Sequence, residues 1–323
     1  MSESFPQIEL AVAQTRSPLD RNPAAVYLAS LTSDKSRRTM SNALRTIVAL
    51  LTYQQVDGVT HEAMLRLNWH DLRYQHTAAV RAMLIDEYSP ATVNRMLSAL
   101  RGVIKEAWRL GYISAEDYQR AVDIQNVKAT TLPAGRELSS GEILALVEVC
   151  RGDESPAGVR DAAIIGLLYT CGLRRSELVN IFHNDFDAET GRLMIRSGKG
   201  RKQRVVFVTG GALKAMRKWL KICPDNAGPV FVPVLKNGKI QFGGLVSQSV
   251  YDLLKKRALQ AGVKDFSPHD LRRTFVSHML ERGVDIATVA DIAGHSSVNT
   301  TRRYDRRPED HKKLAAEKLH YPF

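Results

Sequence analysis

Apolar residues recur every three or four positions along most of this 323-residue chain, the period of an amphipathic helix. From about Asn22 to Val122 the pattern is almost unbroken. In SRRTMSNALRTIVALLTY, Ser36 is a candidate N-cap, and Met40, Leu44, Ile47, Leu50 and Leu51 fall on one face. SPATVNRMLSALRGVIKEAWRLGYI opens on Ser-Pro, a helix-start signal. Val93, Leu97, Leu100 and Ile104 then repeat at helical spacing, with Asn94, Arg95, Ser98 and Arg101 on other faces. This half predicts a small all-α bundle. Periodicity is weak before it and lapses after it, through IQNVKATTLPAGREL, where Pro133 and Gly135 break the chain. The predicted organisation is a flexible arm over 1–20, a helical domain over 21–125, a linker over 126–138 and a second domain over 139–323.

The second domain reopens on SSGEILALVEVC, with Ser139 or Ser140 as cap. RLMIRSGKGRKQRVVFV breaks the helical period. Leu193 and Ile195 alternate on one side of a Gly- and Lys-rich middle, Val206 and Val208 on the other. That pattern predicts a β-hairpin with a basic tip. Helices are expected over 212–222, 246–261, 268–282 and 286–293, followed by a short one carrying Tyr304 and a last one over about 308–319. The fold class is mainly α with a small β-sheet.

Charge narrows the function. The net charge is +12, and it is unevenly spread: residues 1–135 carry 15 Lys+Arg against 13 Asp+Glu, residues 136–323 carry 31 against 21. A basic domain favours a polyanionic partner, most often nucleic acid, although a basic enzyme of another kind shares the trait. No run suits a bilayer, and the first residues lack a secretory signal. Cys150, Cys171 and Cys223 are too few and scattered for a disulfide framework or zinc cluster. A reducing, cytoplasmic setting is expected.

Five stretches carry candidate chemistry, each with an ordinary alternative. TCGLRRSEL joins two apolar segments through a turn at Gly172, with Ser176 as the cap of the second and Arg174 in the turn; such an arginine is often simple surface. SPHDLRRTF puts His269 and Arg272 three apart on one helix face, near an N-terminus that favours an anion, or else a capping histidine beside a surface arginine. AGHSS places His295 on a loop, and lone loop histidines are mostly idle. SGKGRKQR offers Lys199 at the hairpin tip, where a lysine is often just solvated; the stretch lacks the spacing and helix of a phosphate-binding P-loop. TTRRYDRR sets Tyr304, a poor nucleophile at neutral pH, among arginines.

In order and spacing these pieces resemble the tyrosine recombinase/phage integrase family, including the Xer recombinases. The matching residues are Arg174, Lys199, His269, Arg272, His295 and Tyr304, with Glu177 as accessory acid. Arg273 stands where the family often has histidine or a small residue, and Ala293 where leucine is common. The resemblance implies an N-terminal all-α core-binding (SAM-like) bundle and a C-terminal α+β catalytic domain. It implies DNA cleavage through a 3′-phosphotyrosyl link to Tyr304, with Arg174, Arg272 and His295 on the scissile phosphate. Lys199 protonates the departing 5′ oxygen, His269 is the acid/base partner and Glu177 orients the cluster. No cofactor, metal or ATP is expected.

The implied partner is double-stranded DNA with an inverted-repeat core site, held as a homotetramer on two duplexes, with an accessory DNA-binding protein as an option and no membrane. The segment at 308–319 is expected to dock on a neighbouring protomer or, more simply, on its own domain. Candidate DNA contacts are Arg38, Arg45, Asn94, Arg95, Ser98, Arg101, Arg201, Lys202, Arg273, Arg302 and Arg303. The biological task stays open among mobile-element integration or excision, cointegrate resolution and replicon dimer resolution. The competing functions are a type IB topoisomerase-like relaxing enzyme and a non-catalytic DNA-binding regulator.

Overall fold

The computed structural model describes residues 18–128, 135–196, 203–223, 228–305 and 317. The chain divides into two compact units, Met1–Leu132 and Pro133–Phe323, and each has its own hydrophobic core.

The described part of the first unit is helical: α1 (Pro23–Ser30), α2 (Asp34–Thr52), α3 (His61–Arg66), α4 (Tyr74–Glu87), α5 (Pro90–Arg109) and α6 (Ala115–Val122). The cap of α2 is Ser33, not Ser36. The Ser33 hydroxyl accepts the Ser36 N–H at 3.0 Å, so the helix begins one turn earlier than the apolar pattern indicates. Pro90 starts α5, where a missing N–H costs nothing. Helix α5 packs against α1, α2, α4 and α6. Its Val93, Leu97, Leu100 and Ile104 are fully buried with Leu44 and Ile47 of α2, each large side chain contributing about 1.5–3 kcal/mol by leaving water.

The second unit runs α7 (Ser140–Arg151), α8 (Pro156–Thr170), α9 (Arg175–Leu178), β1 (Arg192–Ile195), β2 (Arg204–Phe207), α10 (Gly210–Ile222), α11 (Ser247–Gln260), α12 (Pro268–Glu281), α13 (Ile286–Ala293) and α14 (Val298–Arg302). Ser139 caps α7 and Glu142 returns the bond. Helix α8 is the hub, packed against α7, α10 and α12. Strands β1 and β2 pair antiparallel, Leu193 opposite Val206 and Ile195 opposite Arg204, and Leu193, Ile195, Val206 and Val208 are buried. Among the described residues no helix is long and apolar enough to cross a membrane. The three cysteines are buried and none is in a disulfide.

Two local expectations change. Ser176 lies inside α9; the cap position is Arg174, whose N–H is accepted by the Glu177 carboxylate at 2.9 Å. Tyr304 is not in a helix: α14 ends at Arg302, and the Tyr304 N–H bonds the Thr301 carbonyl at 2.9 Å in a tighter turn. The expected arm to residue 17, linker residues 129–134, the hairpin tip at 197–202 and the helix at 308–316 and 318–319 lie outside the described residues, and so do Lys199, Arg201 and Lys202.

One buried ion-pair network joins α8 to α11. Asp161 accepts from Arg160 at 2.8 Å and 3.0 Å and from Arg257 at 2.9 Å, and Arg257 also reaches Asp153 at 2.7 Å. Asp161 and Arg257 are nearly inaccessible. Removing one member of such a set leaves charge buried without compensation. Asp161→Asn should therefore destabilise the second unit by about 3–5 kcal/mol. The measurement is urea unfolding followed by Trp219 fluorescence, in a background lacking the other two tryptophans. A loss below about 1 kcal/mol would show that the network is replaceable.

Candidate active site

The site is assembled from the ends of elements. Arg174 is the residue before α9, His269 and Arg272 lie in the first turns of α12, His295 follows the end of α13, and Tyr304 follows α14. A cavity of about 330 Å³ is lined in part by Arg174, Tyr251, Ser267, His269 and Arg272. A larger one, about 840 Å³, opens in the first unit beside Ala25, Leu28, Arg38 and Ser41; the titratable cluster is at the smaller.

Helix α12 starts firmly. The Ser267 hydroxyl accepts the Asp270 N–H, and the Asp270 carboxylate accepts the Ser267 N–H at 2.9 Å. Arg272 sits on the buried side of this helix, 3% exposed. Its Nη1 donates to the Gly172 carbonyl at 2.5 Å. Its Nη2 is buried with no hydrogen-bond partner among the described residues. Gly172 has a positive φ of 57°, and a Cβ there would lie 2.4 Å from the Phe275 ring. The carbonyl that holds Arg272 thus depends on glycine in this turn. Burial, reinforced by the Arg174 charge, lowers the Arg272 pKa to about 9.

Arg174 is held at two points. Its Nη1 donates to Glu177 Oε1 at 2.7 Å, and its Nη2 to the Gly294 carbonyl at 2.7 Å. Glu177 is held in turn by Arg204, which donates Nη1 to Oε1 at 3.0 Å and Nη2 to Oε2 at 2.9 Å. The Arg204 Nε reaches the Ile292 carbonyl at 2.8 Å. Arg204 therefore joins β2, α9 and the end of α13. A Cβ on Gly294, whose φ is 66°, would lie 2.6 Å from the Arg204 guanidinium. Burial works to raise the Glu177 pKa, but hydrogen bonding and charge from Arg204, then Arg174, bring it down to about 2.

The histidines are shifted the other way. His295, half-buried, has Nδ1 2.7 Å from the Thr301 hydroxyl, and its ring lies 6.4 Å from that of Tyr304, inclined at 26°. Burial first, then the Arg272 and Arg174 charges, lowers its pKa to about 4. Partial desolvation, then Arg272 and Arg273, also lowers the His269 pKa. Tyr304 is half-buried and packs on the small cluster of Phe275, Val276, Leu280, Val289 and Ala293.

The structure brings Arg174, Glu177, His269, Arg272, His295 and Tyr304 into one network of contacts and charge interactions in the second unit. Arg204 is the residue that sequence reasoning missed. The signal was present: it shares the inward parity of Val206 and Val208, so a charge fell on a core-facing strand position.

The expected DNA contacts divide. Arg38, Arg95, Ser98, Arg302 and Arg303 are exposed. Arg45 donates to the Val59 carbonyl at 2.6 Å, Asn94 exchanges two bonds with the Val127 backbone, and Arg101 holds Asn126 and Ile124. These three brace their own unit. Arg273 turns inward: it is 5% exposed, donates to the Gly135 carbonyl at 2.7 Å and lies 5.5 Å from the Tyr304 ring centroid. It has no outward surface for a DNA backbone.

Glu137, His278 and Glu281 offer ligand atoms within 4.8 Å of one another. His278 is already engaged, with Nδ1 3.0 Å from the Tyr169 hydroxyl and Nε2 3.6 Å from Glu137.

The depressed Glu177 pKa gives a pH signature. A carboxylate with a lowered folded-state pKa stabilises the fold above its ordinary value, near 4.5, and loses that contribution as pH falls toward about 2. Glu177→Gln should cost about 3–5 kcal/mol at pH 7, with the gap to the parent closing between pH 4.5 and 2. Parallel denaturant titrations across that range measure it. A gap independent of pH would contradict the assignment.

Residues 136–311 match the sequence model of the phage integrase family. Tyrosine recombinase XerA of Pyrococcus furiosus is 34% identical over 233 residues, which cover 72% of this chain and 75% of the relative. The structure resembles the Tn1549 transposon integrase in complex with transposon right end DNA, at TM-score 0.68 and 15% identity, over 93% of this chain and 98% of that one. It also resembles a lambda integrase tetramer bound to a Holliday junction, at TM-score 0.62 and 15% identity, over 90% and 78%. The two structural likenesses carry the fold, and the sequence matches carry the kinship: the chain belongs to the phage integrase family of tyrosine recombinases.

Proposed function

We propose that this chain is a site-specific DNA recombinase whose nucleophile is Tyr304 and whose phosphate-binding groups are Arg174, Arg272 and His295. The observation that carries this assignment is Arg272 Nη2, a buried guanidinium nitrogen without a partner among the described residues, beside a cavity shared with Arg174 and His269. An unmade hydrogen bond on a buried charged donor is costly, and a phosphate oxygen satisfies it in the geometry a guanidinium fork prefers.

The Tyr304 oxygen attacks the scissile phosphorus, and the bond from phosphorus to the 5′ oxygen breaks. The phosphate stays on the 3′ end as a tyrosyl ester. The tyrosine proton passes to His269, and Lys199 gives a proton to the departing 5′ oxygen. A 5′ hydroxyl from a second strand then attacks the ester and returns the phenol. One phosphoester replaces another at each step, so the exchange needs no external energy source. Two arginines and a neutral histidine spread the charge that develops on the phosphate, the usual route to a large rate effect.

The relatives are named as recombinases, so the relaxing-enzyme and regulator readings are set aside. The DNA complex of the Tn1549 integrase and the junction-bound lambda integrase tetramer support a duplex partner and a tetramer on two duplexes here. The exposed Arg38, Arg95, Ser98, Arg302 and Arg303 are the retained DNA contacts, with most touching phosphate and setting register. We place the work on intracellular, nucleoid DNA, as an Xer-like exchange between two inverted-repeat sites.

A nicked duplex carrying the recombination site traps the covalent step. The parent protein should form an adduct, and Tyr304→Phe should bind DNA equally and form none. Arg272→Lys keeps the charge but loses the fork, and should slow adduct formation by roughly 100-fold or more. An adduct that persists in Tyr304→Phe assigns the nucleophile elsewhere. Relaxation of supercoiled DNA without exchange between two sites would favour the topoisomerase-like alternative.

A further inference from the structure

We infer that Thr301 is a positioning residue for strand cleavage: its hydroxyl donates to His295 Nδ1 and fixes the imidazole as the Nε2–H tautomer. The inference rests on the proposed role of His295 at the phosphate.

A hydroxyl 2.7 Å from a ring nitrogen fits two arrangements, with the hydroxyl as donor or as acceptor. Five other helical threonines show how such a hydroxyl ordinarily uses its hydrogen. Thr39, Thr46, Thr52, Thr170 and Thr274 each donate to the carbonyl four residues back, at 2.8 to 3.1 Å. Thr301 makes no such bond. Among the described residues its hydroxyl has one partner, His295 Nδ1. Thr301 is also completely buried, so water does not serve as a substitute acceptor. If Nδ1 carried the proton, the Thr301 O–H would be a buried donor with nowhere to point, at a cost of about 1–3 kcal/mol. If Thr301 donates, both atoms are satisfied and the ring's hydrogen is on Nε2.

That tautomer is the one the chemistry uses. The lowered pKa leaves His295 uncharged at neutral pH. A neutral imidazole has one hydrogen to offer, and only on Nε2 is it free to reach a phosphate oxygen, because Nδ1 is occupied. The Thr301 backbone makes the second link: its carbonyl accepts the Tyr304 N–H at 2.9 Å. One buried residue thus sets the histidine's tautomer through its side chain and the start of the nucleophile's turn through its backbone. Substituting the side chain separates the two.

The test uses the full chain with ¹⁵N-labelled histidine, and long-range ¹H–¹⁵N spectra at neutral pH, with His295→Gln identifying the signal. The parent should show His295 as Nε2–H. Thr301→Val, which matches threonine in shape, should lose that signature. It should also form the covalent adduct about 10–100-fold more slowly, the range seen when a metal-bound histidine loses the partner on its other nitrogen, with unchanged DNA affinity and thermal unfolding still cooperative. Thr301→Ser should restore both tautomer and rate, which a purely packing role for the γ-methyl would not allow. An Nδ1–H tautomer in the parent, or a parental rate in Thr301→Val, overturns the inference. Failure of the parent to form any adduct refutes the recombinase assignment instead, and the spectra still decide the tautomer.

Discussion

A single carboxylate, Glu177, shared between Arg174 and Arg204, holds the cationic site together. Like charges a few ångströms apart repel by about 4 kcal/mol at the effective dielectric of a protein surface. Arg174, Arg204 and Arg272 are close enough for the first two to depress the pKa of the third. The fork of Arg204 uses both carboxylate oxygens, and Arg174 adds to one of them. Glu177 is thereby fixed rather than available, and Arg174 retains a defined direction.

Two glycine carbonyls complete the restraint. Gly172 accepts from Arg272, and Gly294 accepts from Arg174. Both glycines have positive φ and stand where a Cβ would collide, one with Phe275 and the other with Arg204. Chain reversals that only glycine makes cheaply thus serve as acceptors for the two arginines proposed to bind phosphate. Arg174 spends one nitrogen on Glu177 and one on Gly294, whereas Arg272 Nη2 has no partner among the described residues and stays open to an anion.

Much of this was legible in the sequence. The helical period located α5 and α12, the strand alternation located the paired strands, and five of the six chemically suited residues in family order meet in the structure, Lys199 lying outside the described residues. What eluded the pattern was local geometry. Ser33 and Arg174, rather than Ser36 and Ser176, cap their helices, because a cap depends on where the first N–H groups point and not on where the apolar face begins. Arg273 looked like one more basic residue after Arg272, yet α12 is buried on almost every face, and Arg273 lies over the Tyr304 ring. Asn94, Arg45 and Arg101 looked like surface contacts, but each found a backbone partner many residues away, which no window of sequence reveals. Arg204 was readable in principle: its parity with Val206 and Val208 already put a guanidinium on the inward face.

The site is electrostatically unfavourable as it stands. Arg272 has a buried nitrogen without a partner among the described residues, and His295 and His269 are held neutral first by burial and then by neighbouring arginines. This cost is offset elsewhere in the same unit by the hydrophobic core around α8. A bound phosphate reverses the sign of the local field: it gives Arg272 Nη2 an acceptor, opposes the repulsion between the arginines, and favours protonation where the free site disfavours it. Binding energy and stability are then linked through the same groups. The rigid scaffold therefore does more than keep the arginines apart. It holds them in a geometry whose strain is relieved by the anion on which Tyr304 is proposed to act, so that on this proposal recognition of the phosphate and assembly of the reactive cluster are a single event.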